Sequence, residues 1–375
     1  MNREKIFIIS GEDSGDLHGA KLMESIKKIN PHTEFFGVGG NRMQSEGLQL
    51  IEHIRNLNVI GIFEVIKHYS RIKGIFNNTV EEIKKLRPNK VILIDYPGFN
   101  LRLAKKLHAL NFDITYFILP QVWAWKESRS KILKQYCKKL ISIIPFEKNW
   151  FSQRGIDVHY AGHPLSDLSN LTFDRYTFCQ KHSIPEKNKI IVLMPGSRSM
   201  EIKRHWKIFE KTVEILQHQH KNLSFILLEG KNVEIKTNTN VIKIKENQYE
   251  AIGVADAAIV CSGTATLETA MLKCPMIVCY KLSTLTWIVA QMLSKVEHFS
   301  LVNLIAEETI VDEFLQKKML PKNLSNGINK LLKNENHDAI IKKYDQLIEK
   351  LKTNGNVYDS ACLLYTSPSP RDFTE

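Results

Sequence analysis

The chain lacks the residue patterns that mark exported, metal-dependent or membrane-spanning proteins. Its six cysteines (Cys137, Cys179, Cys261, Cys274, Cys279, Cys362) among 375 residues include no C-x-x-C pair and no regular framework. Several lie in apolar runs, so they read as reduced core thiols rather than disulfides or zinc ligands. No Asp-x-Asp pair occurs, which leaves a metal-chelated diphosphate without support and no metal expected. The longest apolar region, Cys274 to Leu293, is broken by Lys281, Ser283 and Thr284 and falls short of a spanning helix. Ile6 to Ile9 is too short for a signal sequence, so no export is expected and the chain reads as cytoplasmic. There is no aromatic-interleaved basic motif and no zinc-finger spacing, which argues against nucleic acid.

What is abundant is positive charge. Fifty-two Lys and Arg stand against 40 Asp and Glu, a formal net charge of +12. Such an excess attracts a phosphorylated substrate or an anionic membrane face, although lysines on solvated helix faces account for much of it.

Short β-branched runs alternate with longer helical patterns from end to end, the signature of βαβ units and parallel sheets. Strands are expected at 5–10, 34–38, 90–94, 114–118, 140–144 and 158–161, and again at 190–194, 223–228, 241–244, 257–261 and 276–279. The fold class is α/β, with two Rossmann-like domains: 1–164 and 190–322, joined by a polar hinge at 165–189. Two amphipathic helices within 323–360 close the chain and pack back. The tail 361–375, with Thr366-Ser367-Pro368-Ser369-Pro370, has no apolar period and reads as disordered or non-native.

Four strand ends carry chemistry. The first runs into Gly11-Glu12-Asp13-Ser14-Gly15-Asp16, where glycines allow close backbone approach and acids favour a sugar hydroxyl over a bare phosphate. The strand at 90–94 delivers Asp95 at its carboxyl end, where open α/β sheets bind ligands. Asn100 is the better helix cap, which frees Asp95 for other work. The strand at 190–194 leads to Pro195-Gly196-Ser197-Arg198, suited to a phosphoryl group through the Ser197 amide and the Arg198 guanidinium. Ser262-Gly263-Thr264 opens a helix with Glu268 one turn inside. Free amides and helix dipole make a phosphate seat there, and the carboxylate suits ribose hydroxyls, although the turn also fits an ordinary capped helix. Asn303, after the last expected strand, reads by itself as a turn asparagine. Trp123 and Trp125 read as core or interdomain packing, and His163 as a packing or hinge residue.

In this order, the motifs GEDSGD (11–16), GVGGNRMQSEG (37–47), IDYPGFN (94–100), PQVWAW (120–125), PFEK (145–148), GHP (162–164), MPGSR (194–198), CSGTATLE (261–268) and SLVNL (300–304) resemble those of the lipid-A-disaccharide synthases. The resemblance covers roughly residues 4–355. It implies a GT-B glycosyltransferase with two domains facing a cleft, inverting and without a metal or other cofactor. The implied reaction joins UDP-2,3-diacylglucosamine to 2,3-diacylglucosamine 1-phosphate (lipid X), giving the β-1,6 lipid A disaccharide and UDP. Carried over, the family places UDP contacts at Arg198, Glu268 and Asn303, active-site roles at Glu12 and Ser14, and the candidate base at Asp95. It also implies peripheral association with the inner membrane of a Gram-negative cell, for which Val59 to Ile66 beside Lys67, Arg71 and Lys73 is suited, although the same stretch also fits a buried helix of the first domain, and it admits a homodimer. A UDP-sugar epimerase on the same double Rossmann body is the alternative.

Overall fold

The computed structural model describes residues 3–57, 69–230, 233–283, 287, 297–353 and 355–366. The chain divides into two compact units: Met1–Pro164 with Thr353–Glu375, and Leu165–Lys352.

Unit 1 is built on β1 (Lys5–Ile9), β2 (Glu34–Gly39), β3 (Leu48–His53), β4 (Lys90–Ile94), β5 (Ile114–Phe117), β6 (Lys139–Ser142) and β7 (His159–Tyr160). They lie in the order β3-β2-β1-β4-β5-β6-β7, every pair parallel. The central strands KIFII and KVILI are continuously apolar because both faces of a parallel sheet are covered. Alternate residues serve the two sides. Phe7, Ile9, Val91 and Leu93 join one core cluster, and Ile6, Ile8, Ile92 and Ile94 the other.

Unit 2 repeats the plan with β8 (Lys189–Met194), β9 (Leu223–Leu228), β10 (Ile242–Ile244), β11 (Ala257–Cys261), β12 (Met276–Tyr280) and β13 (Glu313–Leu315). Their order is β10-β9-β8-β11-β12-β13. In each sheet the strand order reverses beside the unit's first strand, between β1 and β4 and between β8 and β11. Chains leaving the carboxyl ends of such a pair diverge and open a crevice.

Among the described residues, the two parallel sheets and the strands expected from sequence are present, together with two edge strands, β3 and β13, that the apolar pattern did not announce. All six cysteines are free and buried. The expected hinge at 165–189 is more ordered than its polar composition suggested. It holds a 3-10 stretch, Pro164–Asn170, and a helix, Arg175–Lys181, capped by Asp174. Arg175 ties that helix to Asp256 of unit 2 at 2.9 Å. The expected helix at 285–293 and the apolar stretch 59–66 lie outside the described residues.

The C-terminal expectations need two corrections. The helices Pro321–Leu331 and Asn334–Leu351 belong to unit 2 and pack on its own elements. Only from Thr353 does the chain rejoin unit 1, and there a helix runs from Val357 to Thr366 instead of a structureless tail from 361. Val357, Tyr358, Ala361 and Cys362 are buried in unit 1's core, and Tyr358 Oη meets His18 Nδ1 at 2.8 Å. The apolar spacing 357, 358, 361, 362 is helical, but the Ser-Pro repeat that follows masks it. Ala361→Asp, which buries a carboxylate there, should lower stability by about 2–4 kcal/mol. Denaturant unfolding measures this, and an unchanged midpoint would mean that the helix does not pack as described.

Candidate functional site

In unit 1, register sets the geometry. Ile9 is level with Leu93 across β1 and β4, so Gly11 and Asp95 leave the sheet side by side. The turn after β1 enters helix α1 (Asp13–Ile29), and that after β4 enters α4 (Pro97–His108); between them in sequence lie α2 (Asn41–Ser45) and α3 (Tyr69–Leu86). Gly11 is required here, because a Cβ would come within 2.2 Å of the Tyr96 ring. Asp16, the last acid of the first turn, is spent on structure. Its carboxylate accepts from the amides of Gly40, Arg42 and Met43 and so holds the start of α2. Glu12 and Ser14 remain exposed at the start of α1. Glu12 is the N-cap residue, yet its side chain makes no capping hydrogen bond.

Asp95 and Tyr96 adopt positive φ, 42° and 49°, a conformation costly for residues with side chains and frequent at functional sites. The strain is braced from behind. Tyr116 Oη donates to the Asp95 carbonyl at 2.6 Å, and Asn100 Nδ2 donates to the same oxygen at 2.8 Å and to that of Ile94 at 3.1 Å. Asn100, expected as a cap, is instead this brace. Burial, with Glu12 adding like-charge repulsion, pushes the Asp95 carboxyl up to about 6. A group that ionises near neutrality can take a proton and still be charged beforehand.

Sequence reasoning missed one carboxylate here. Glu147 is fully buried and accepts from Trp123 Nε1 at 2.8 Å and from Ser142 Oγ. Burial raises it to about 7, against those two hydrogen bonds. Trp123 is accordingly a core residue, whereas Trp125 is 47% exposed and stacks under Lys126 and Arg129. His163 is buried, and burial with neighbouring His18 lowers it to about 3.

In unit 2, a pocket of about 460 Å³ opens at the ends of β8 and β11. Gly196, Ser197, Arg198, Ser262, Gly263, Thr264 and Glu268, all expected from sequence, line it. Gly263 stands at φ 156° before helix α10 (Thr264–Met271; the unit's earlier helices are α7, Arg175–Lys181, α8, Ser199–Gln219, and α9, Gln248–Gly253; α5, Arg129–Tyr136, and α6, Glu147–Ser152, belong to unit 1). No side chain caps α10, so its N-terminal dipole is available to an anion. Glu268 lies one turn in, holds a hydrogen bond from Tyr249 Oη at 3.2 Å, and is raised by burial.

Three sequence expectations change. The Ser197 amide does not wait for a phosphate: Glu201 Oε2 accepts from the amides of Ser197 and Arg198, both at 3.3 Å, as a glutamate in the first turn reaches back over its own helix. Tyr280 Oη fixes the other Glu201 oxygen at 3.0 Å. The Ser262 hydroxyl donates to the Phe299 carbonyl at 3.0 Å. Asn303 does not line the pocket. It is fully buried, its Nδ2 donates to Val311 O and Glu313 Oε1, and its Oδ1 accepts from the amides of Ile310 and Val311. Glu313 also accepts from the amides of Phe299 and Ser300, so Asn303 braces the loop on which Ser262 leans.

His205 was also missed. It sits one helical turn after Glu201, which is the available signal. Its ring bridges Pro195 O at 2.9 Å and the Lys281 backbone, and so pins the β8 turn to the end of β12. Among the described residues no three His, Cys, Asp or Glu side chains converge as a metal site.

The Asp95 shift has a measurable consequence. Between about pH 4 and pH 6 the folded chain keeps a proton that the unfolded chain has released, so this carboxyl's contribution to stability falls as pH rises through that window. Asp95→Asn should therefore match the parent near pH 4 and exceed it by about 3 kcal/mol above pH 6. Urea midpoints across pH test this, and a difference independent of pH would refute it.

Comparison with known proteins agrees with this arrangement. The lipid-A-disaccharide synthetase family matches residues 6–364. The chain is 33% identical over 376 residues to the lipid-A-disaccharide synthase of Syntrophus aciditrophicus (strain SB), covering 98% of both. It is 34% identical over 363 residues to lipid-A-disaccharide synthase 1 of Legionella pneumophila (strain Lens), covering 94% of both. Among solved structures, the glycotransferase of kitacinnamycin is similar with TM-score 0.65 at 12% identity, over 97% of this chain and 99% of that one. The UDP-GlcNAc 2-epimerase from Neisseria meningitidis gives TM-score 0.58 at 12% identity, over 98% and 99%. At that identity these likenesses concern the fold alone, a GT-B fold used by transferases and epimerases. The sequence relatives decide between them, and the chain belongs to the lipid-A-disaccharide synthetase family.

Proposed function

We propose that the chain transfers 2,3-diacylglucosamine from its UDP carrier to the 6-hydroxyl of 2,3-diacylglucosamine 1-phosphate. Asp95 takes the hydroxyl proton as that oxygen bonds to the anomeric carbon and the bond to UDP breaks, with inversion. The observation that carries this reading is a carboxylate held at a strained strand end and raised to about 6 beside Glu12. Glu12 acts on it through charge, and Ser14, exposed in the first turn of α1, is left to the substrate's phosphates. Unit 2 holds the nucleotide: Glu268 with Tyr249 receives the ribose hydroxyls. Arg198, Gly196, Gly263, Thr264 and the N-terminus of α10 meet the diphosphate, whose charge on departure needs no metal in this scheme. Ser197, Ser262 and Asn303 shape the seat.

No helix among the described residues is long and apolar enough to cross a membrane. Acylated substrates nevertheless reside in one, and the exposed Arg71 and Lys73 on α3 support peripheral docking on the anionic cytoplasmic face of the inner membrane.

Asp95→Asn should reduce kcat by at least about a hundredfold, as loss of a general base does, while UDP affinity stays within twofold. Retained turnover would remove Asp95 as the base. Arg198→Ala should weaken UDP by about 1.5 kcal/mol, roughly tenfold, through loss of a charge-assisted contact. Calorimetric titration reads this directly, and an unchanged Kd would take Arg198 out of the seat.

A further inference from the structure

The loop that leaves β5 carries a group of side chains that the proposed chemistry does not use. Ile94 and Phe117 are level across β4 and β5, and the Asp95 amide donates to the Phe117 carbonyl at 3.1 Å. Residues 118–129 therefore set out from beside Asp95. Among them Trp125 is exposed, and two cations gather on its ring, with Lys126 Nζ 4.9 Å and Arg129 Cζ 5.6 Å from the centroid. Lys126 is held there at φ 59°, a conformation costly for a residue with a side chain. Neither cation has a carboxylate partner among the described residues; Glu127, between them in sequence, pairs with Arg154 at 2.8 Å. Arg129 is half-buried and opens helix α5, whose first turn holds no acid, so its charge opposes the helix dipole. An aromatic face steadies such cations without using up their N–H donors. Two like charges collected in this way form a receptor for an anion.

Its position selects among anions. Burial, Asp95 and Cys137 push the Tyr116 hydroxyl well above its ordinary value, and the charge of Arg129 is near enough to pull it back. That same hydroxyl lies 2.6 Å from the Asp95 carbonyl, so only Tyr116 separates the receptor from the turn that carries the base. In 2,3-diacylglucosamine 1-phosphate the reacting hydroxyl and the phosphate stand on opposite sides of one pyranose ring, a comparable span. We propose that Arg129 and Lys126, steadied by Trp125, bind the acceptor's phosphate monoester and thereby turn its 6-hydroxyl toward Asp95. The inference rests on the proposed acceptor being a sugar 1-phosphate; the donor's phosphates are met by unit 2.

A short-chain acceptor, kept below its aggregation concentration, and its dephosphorylated analogue are titrated at equilibrium without lipid. Arg129→Gln should weaken the 1-phosphate acceptor at least about tenfold, as loss of a charge-assisted contact does. The analogue and UDP should stay within twofold, which also controls for folding. Arg129→Lys, which keeps the charge, should recover at least threefold of the loss. Equal weakening of both acceptors, or unchanged affinity for the phosphorylated one, overturns the proposal. Trp125→Leu stays apolar but offers no aromatic face. It should weaken the phosphorylated acceptor about threefold, and should have no effect once Lys126 and Arg129 are both Gln. A loss that persists in that background means that the ring meets the sugar itself, and removes Trp125 as the support. If Arg129→Gln loses partition to anionic vesicles while its affinity for the 1-phosphate is unchanged, the cations serve the bilayer and the proposal fails. The titration needs no turnover. A parent that prefers the phosphorylated acceptor through Arg129 yet transfers no sugar refutes the proposed reaction alone.

Discussion

The structure depends on the alignment of two pairs of parallel strands. Because β1 and β4 end level, as do β8 and β11, four connections emerge at strand ends where neighbouring chains part company. Glu12, Ser14, Asp95, Arg198 and the turn Ser262–Thr264 each follow one of those ends. The apolar strands supply this alignment by burying both faces. A one-residue slip would turn each inward side chain to the opposite core and separate Gly11 from Asp95.

The two crevices then receive opposite electrostatic treatment. In unit 1, Asp95 is drawn out of water while the exposed Glu12 stands near enough to add like-charge repulsion, and together they make Asp95 costly to charge. That arrangement persists because Tyr116 and Asn100 hold the backbone where it would not rest by itself. In unit 2, one guanidinium, Arg198, and the uncapped start of α10 border a hollow, while the protein neutralises the neighbouring seat with its own Glu201. The amides of Ser197 and Arg198 therefore already have an anion, and α10 is left as the unoccupied dipole.

How much of this was legible varied with range. Central strands such as KVILI and AAIVC are continuous apolar runs and identify themselves. Edge strands do not: β3, LQLIEH, is half-buried and mixed in polarity, and β13 is only three residues long. Strand position alone pointed to Asp95, Arg198 and Glu268. The inward turn of Glu201 and Asn303 was hidden because it is fixed by Tyr280, Val311 and Glu313, partners distant in sequence or on an unrecognised strand. The final helix was obscured for a different reason, since a Ser-Pro segment after it dominated the local composition.

That last helix gives the molecule an unusual order of assembly. Residues 165–352 form unit 2 whole, inserted between the two pieces of unit 1. On a ribosome the first 164 residues emerge lacking Tyr358, Ala361 and Cys362, which one of their cores requires. Unit 2 has every strand it needs well before then. The usual rule that the amino-terminal half matures first during synthesis therefore holds for only one face of its sheet: the cluster Phe7 to Val158 is complete in the first 164 residues, whereas the other face gains four of its buried side chains only with the helix from Val357.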